Sequence, residues 1–194
     1  MSFRLGLVGL CSSHPGNWVP IIRELVSEGL VDCQVNAVWD SAETRPKDFA
    51  KQFSLTHEIP HCVDKLEEML PLVDGIILHT ANWDRHIEQA EIFVNANKSI
   101  FIDKPIIGNN LDAAKILDWI QQGARIIGGS ALRFTAEVKA LHEELQQKNE
   151  HIHTVYSAAG VDDFNYAIHS YALISDLMGP GIISARHFDS SEQK

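Results

Sequence analysis

Residues Phe3–Gly16 read FRLGLVGLCSSHPG. The first part, Phe3–Gly9, is a short apolar run of the kind that forms a buried strand. It then breaks into serine, histidine, proline and glycine, the residues of a turn and a helix start. A strand that passes through a tight turn at Gly9 into a helix is the first unit of a layered α/β protein. Such a turn places backbone N–H groups at a helix N-terminus, where a phosphate group is favourably held.

The same unit repeats outward from this stretch. A helix is expected over Pro20–Glu28, with Pro20 in its first turn and Gly29 as its stop. Strands follow at Cys33–Trp39, weakly at Pro60–Val63, and at Gly75–His79, Ile100–Ile102 and Arg125–Gly128. Helices are expected at Ala42–Phe53, from an Asp64 cap to Leu70, at Asp84–Ala96 and at Leu111–Gln122. Continuous apolar strands alternating with helices predict a parallel sheet buried on both faces. The fold class is therefore α/β, a Rossmann-type doubly wound sheet over residues 1–130. Residues 131–194 read as the start of a second, truncated α/β domain. Its elements are a helix from a Thr135 cap to Lys148, a strand Thr154–Ala159, a helix Tyr166–Met178 and a strand Ile182–Phe188. An exposed edge on that last strand would invite pairing in a homo-oligomer.

Composition narrows the function. The chain has 194 residues, 45 % of them apolar, enough for a sizeable core. Lys plus Arg is 16 against 26 Asp plus Glu, a net charge of −10, which disfavours nucleic acid as a partner. Three scattered cysteines, Cys11, Cys33 and Cys62, suit a reducing compartment without disulfides. There is no apolar run long enough for a membrane span and no secretory leader pattern, so a cytoplasmic location is expected. His57, His61 and Cys62 are spaced like ligands, but Pro60 breaks a helix there, and no metal is expected. His151 and His153 read as a solvated strand start, and His14 as a turn histidine near a ligand or in solvent.

Two further positions carry chemistry. Asp40 closes the second strand, where an acid accepts from ribose hydroxyls and favours NAD over NADP; Arg45 nearby keeps NADP open. Asp103-Lys104-Pro105 stands at the carboxyl end of the Ile100–Ile102 strand, the edge at which open parallel sheets bind ligands. In the first turn Cys11 occupies the second glycine position of a dinucleotide fingerprint that begins at Gly9. Its side chain would crowd a pyrophosphate, while Ser12 and Ser13 can donate hydroxyl hydrogen bonds.

Asp103-Lys104-Pro105 resembles the Glu-Lys-Pro motif of the Gfo/Idh/MocA family of NAD(P)-dependent oxidoreductases. His79-Thr80-Ala81-Asn82 with His86 resembles the family's Thr-Pro-Asn…His segment, with Ala81 where proline is usual, and Arg133-Phe134 its Arg-Phe pair. Asn165-Tyr-Ala-Ile-His169 resembles its Asp-x-Gly-x-His helix. The resemblance runs over nearly the whole chain. It implies a nicotinamide cofactor held by Gly9, Cys11, Ser12, Ser13, Asp40, Arg45, Thr80, Asn82, His86, Asp103 and Lys104. It also implies a small sugar or polyol substrate. Lys104 would bond the substrate hydroxyl, His169 would act as general base, and Asn165 would have a secondary role. Asn165 and Ala167 depart from the family's Asp and Gly, and most of the family's second domain is missing. The alternative is therefore a non-catalytic dinucleotide-binding sensor or assembly protein, or an inactive fragment of a longer dehydrogenase.

Overall fold

The structure, a computed structural model, describes residues 2–160 and 166–186. The chain divides into two compact units, Met1–Gly129 and Ser130–Lys194.

The first unit holds six strands: β1 (Phe3–Val8), β2 (Cys33–Trp39), β3 (His61–Cys62), β4 (Gly75–Leu78), β5 (Ser99–Asp103) and β6 (Ile126–Gly129). All pair in parallel, in the order β3-β2-β1-β4-β5-β6. Helices α1 (His14–Ser27), α2 (Phe49–Thr56), α3 (His86–Asn95) and α4 (Asn110–Gln121) connect them. This is a doubly wound Rossmann-like layer, and its strand order reverses between β1 and β4.

Alternation along the strands builds two cores, because successive side chains point to opposite faces. Val8, Ala37, Ile76 and Leu78 join Phe93 and Met69 on one face. Leu7, Val38 and Ile77 join Val19 and Ile22 of α1 on the other. Adjacent apolar residues are thus both buried, which explains the unbroken apolar runs in the sequence. On the second face the sheet keeps an apolar groove of about 440 Å³ beside Trp18, Phe101 and Ile127.

Several boundaries differ from the sequence expectation. Helix α1 starts at His14 rather than Pro20, because Pro15 is the first-turn proline; Pro20 lies inside the helix, without an amide for the Gly16 carbonyl. Helix α2 starts at Phe49 rather than Ala42. Ala42 has φ +57°, and Pro46 disfavours helix at Arg45. The expected helix from Asp64 is a single 3-10 turn, Leu66–Met69, and its cap lies one residue later at Lys65. The Glu68 carboxylate accepts from the amides of both Asp64 and Lys65.

The second unit carries a 3-10 turn (Ala131–Phe134), α5 (Ala136–Lys148) and α6 (Ala167–Met178). Thr135 caps α5 as expected, accepting from the Val138 amide at 3.4 Å. Asn149 ends that helix in the left-handed region at φ +52°. The strand expected at Thr154–Ala159 joins no sheet among the described residues, and neither do residues Ile182–Arg186. The predicted strand edge is therefore not formed there; the remainder of that stretch, 187–188, lies outside the described residues. No helix among the described residues is long and apolar enough to cross a membrane.

Candidate functional site

The carboxyl ends of β1, β2, β4 and β5 converge because their strands are neighbours in the sheet. Gly9 turns the chain out of β1 at φ +84°, and a Cβ there would meet the Thr80 amide nitrogen at 2.6 Å. Only glycine meets both conditions. The turn and the segment after β4 are thus in direct contact.

The residues of the β1–α1 turn are committed to specific partners. The Cys11 sulfur accepts from the Ala81 amide at 2.9 Å, so this side chain is folded onto the loop after β4. Ser12 Oγ accepts from the His14 amide at 3.2 Å. Ser13 is the N-cap of α1 and makes no side-chain cap bond. The first turn of α1 contains no acidic residue of its own.

Asp40 follows β2. Its Oδ2 accepts from the Leu10 amide at 2.6 Å and its Oδ1 from the Ala42 amide at 2.8 Å. The carboxylate ties the first turn to the loop after β2 and still has unused lone pairs. It faces a groove of about 590 Å³ that Lys47, Lys51 and Asp64 also line. The Arg45 guanidinium stacks on Phe49, 4.9 Å from the ring centroid.

After β4, Thr80 Oγ1 donates to Gln89 Oε1 at 2.7 Å, and Asn82 Oδ1 accepts from the Asp84 amide at 3.2 Å. His86 is buried, with Nδ1 2.9 Å from the Ile106 carbonyl and Nε2 2.7 Å from the Thr80 carbonyl. It pins the loops after β4 and β5 together. The sequence reading gave His86 to cofactor binding; its ring is occupied by backbone.

At the end of β5, Asp103 Oδ1 accepts from the Lys104 amide at 2.8 Å, and Oδ2 contacts His14 Nδ1. The Lys104–Pro105 bond is cis, and Lys104 is half-buried. His79 Nδ1 lies 3.5 Å from Asp103 Oδ2. Burial pushes the His79 imidazole below its ordinary pKa, against the pull of the Asp103 carboxylate. Burial also works to raise Asp103, but the rings of His79 and His14 and the Lys104 amide outweigh it. The Asp103 carboxyl therefore sits below its usual range.

His79 opens the segment that carries the resemblance, but the sequence reading gave it no role in the site. Its signal was present: the four-residue apolar strand Gly75–Leu78 delivers a histidine to the ligand-facing edge.

In the second unit, Ser130 Oγ and His169 Nδ1 lie 2.7 Å apart, and Ser130 Oγ also accepts from the Leu132 amide. Asp176 pairs with Arg133 at 3.1 Å and with His142 at 2.9 Å. Lys104 belongs to the first unit and His169 to the second. Asn165 lies outside the described residues.

Strand order, connection type and a glycine turn at the reversal point define a Rossmann-type domain. The sequence pattern of the oxidoreductase family with an NAD-binding Rossmann fold, Gfo/Idh/MocA, matches residues 3–130, and the chain belongs to that family. A protein of Amycolatopsis mediterranei named as the oxidoreductase subunit of a UDP-kanosamine synthase is 27 % identical over 151 residues. The match covers 77 % of this chain and 39 % of that protein. Among solved structures, the myo-inositol dehydrogenase of Lactobacillus casei in complex with NAD(H) and myo-inositol superposes with a TM-score of 0.73. It is 16 % identical, and 92 % of this chain covers 55 % of that one. The UDP-N-acetylglucosamine 3-dehydrogenase of Acidithiobacillus ferrooxidans gives a TM-score of 0.69 at 18 % identity, covering 92 % of this chain and 57 % of that one. The chain thus spans well under two thirds of the length of these relatives.

The first unit fits a dinucleotide. Gly9 leaves no room for a Cβ at the turn, the first turn of α1 carries no acid of its own, and the Asp40 carboxylate lines an open groove. The Cys11 side chain, which would have crowded a pyrophosphate, is held instead by the Ala81 amide.

Proposed function

We propose that this chain is an NAD(P)-dependent oxidoreductase that transfers hydride between a sugar- or polyol-like hydroxyl and a nicotinamide cofactor. The observation that carries the reading is Asp103-Lys104-Pro105 at the carboxyl end of β5, beside the point where strand order reverses. Two similar proteins, an inositol dehydrogenase and a UDP-sugar dehydrogenase, act on substrates of that class. A nicotinamide dinucleotide, when bound, supplies the hydride acceptor.

The chain's own residues have distinct roles in this reading. The Gly9–Ser13 turn and the α1 N-terminus hold the pyrophosphate. Asp40 accepts from the adenosine ribose, which favours NAD; Lys47 and Lys51, which line the same groove, and Arg45, stacked on Phe49, are the groups that would receive the extra phosphate of NADP. Thr80 and Asn82 shape the loop beside the nicotinamide. Lys104 donates to the substrate hydroxyl, and His169 takes the hydroxyl proton through its imidazole.

Tryptophan quenching and thermal shift with NADH and NADPH test the reading. At one hundred times the dissociation constant, a bound dinucleotide stabilises the chain by about 2.7 kcal/mol. NADH should bind more tightly than NADPH, and Asp40→Ala should narrow the difference. If neither nucleotide quenches or shifts the melting temperature, the oxidoreductase reading is lost. Binding without reduction by any of a panel of polyols and sugar nucleotides would favour a dinucleotide sensor.

A further inference from the structure

His79 is only 3 % exposed, and neither of its ring nitrogens has a hydrogen-bond partner. Buried imidazoles normally find partners, because an unsatisfied buried polar group is costly. Trp18 packs edge-on against this ring, 5.4 Å between centroids, and offers it nothing polar in return. Asp103 Oδ2 stands 3.5 Å from His79 Nδ1, beyond ordinary hydrogen-bond length. The same oxygen is met from the other side by His14 Nδ1. Residues from the start of α1 and from the ends of β4 and β5 thus bring ligand atoms together, all within 4.8 Å of one another.

We infer that His14, His79 and Asp103 form a binding site for a divalent transition-metal ion. Two imidazole nitrogens and one carboxylate oxygen are the ligand set of open zinc and non-haem iron sites. An all-oxygen shell of the kind that magnesium and calcium prefer is absent from this trio. Around a tetrahedral ion with bonds of about 2.0–2.2 Å, neighbouring ligand atoms stand about 3.3 Å apart. The His79–Asp103 spacing of 3.5 Å already matches that figure. The His14–Asp103 contact would open to admit the ion, both groups binding it in their deprotonated forms. Asp103 is oriented for this role, since the Lys104 amide occupies Oδ1 and leaves Oδ2 to the cluster. The His14 side chain, 34 % exposed, gives the ion an entry path and leaves a coordination position open to water or to a substrate oxygen.

The site does not depend on the dinucleotide reading, and separate signals test the two. The metal-free chain is titrated with Co²⁺, followed by its visible absorption, and then with Zn²⁺ as competitor. We expect saturation at one equivalent, displacement by Zn²⁺, and no competition from Mg²⁺ in excess. His14→Gln and Asp103→Asn should each weaken Zn²⁺ binding at least about tenfold. His79→Gln should do the same, and its far-ultraviolet circular dichroism shows whether it is folded. His14 is half-exposed, so its variant stays informative if the buried one fails to fold. The double variant His57→Gln/His61→Gln, which alters histidines outside the cluster, should bind as the parent does. Absence of a one-equivalent Co²⁺ signal would overturn the inference. So would affinity unchanged in His14→Gln, or affinity lost in the His57/His61 variant. NADH titration of the metal-free chain reports on the dinucleotide alone, so the two readings fail separately.

Discussion

Asp74 and Arg4 form the most elaborate ion pair of the first unit. Arg4 donates from Nε at 3.1 Å, from Nη2 at 2.7 Å and from its own amide at 2.9 Å. These hydrogen bonds hold the Asp74 carboxyl down to about 2 from an ordinary 3.8. A depressed carboxylate stabilises the fold above its unfolded value and loses that contribution as the pH falls through its folded value. Melting temperature followed from neutral pH into acid should show this. The gap between the parent and Asp74→Asn should be full above 3.8 and close as the pH approaches about 2. Both side chains are more than a third exposed, so the gap should be small and should shrink in high salt. Lys104 belongs to the same scale but to the proposed chemistry. Lys104→Ala should lower kcat by about 10²–10⁴-fold while leaving NADH quenching in place. Equal turnover in the variant would remove Lys104 from the mechanism.

Helix caps show how far local rules reach. Thr135 was legible as a cap because a threonine precedes an amphipathic run, and the structure pairs its hydroxyl with the Val138 amide. Thr135→Ala should cost about 1 kcal/mol, measured as a lowered urea midpoint with an unchanged slope. Helix α1 was misplaced because two prolines, Pro15 and Pro20, both satisfy the first-turn rule, and periodicity alone cannot choose between them. Helix α2 began late because Asp40 takes the Ala42 amide and bends the chain at the point where a helix was expected to start. In the second unit, apolar patterning at Thr154–Ala159 and Ile182–Phe188 announced strands, of which residues up to 186 are described. A strand needs a neighbour to hydrogen-bond, and among the described residues neither stretch has one.

At the scale of the whole first unit, both sheet faces must be covered together. Phe93 of α3 is fully buried within the core formed by Val8, Ile76 and Leu78. Phe93→Ala should cost about 3–5 kcal/mol, and tryptophan fluorescence should report loss of the unit in one transition. A small, local change confined to α3 would show that the helix is not part of the cooperative core. The strand order also sets where ligands meet the chain. Because β4 inserts beside β1 rather than beside β3, residues near positions 9–14 and 79–82 touch although β2 and β3 lie between them in the chain.

The amino-acid sequence by itself determined the class of fold, the order of strands and helices, and the delivery of Asp103-Lys104-Pro105 to a strand end. These are properties of local period and of short motifs, which one segment carries without reference to any other. Only the tertiary structure decided what those segments meet. The Cys11 sulfur found the Ala81 amide, His86 found two carbonyls, and His14, His79 and Asp103 came to a common point. No spacing along the chain encodes that convergence, since it arises from parallel pairing of strands that are not consecutive. Sheet geometry aligns their carboxyl ends and leaves the side chains there to settle their own partners.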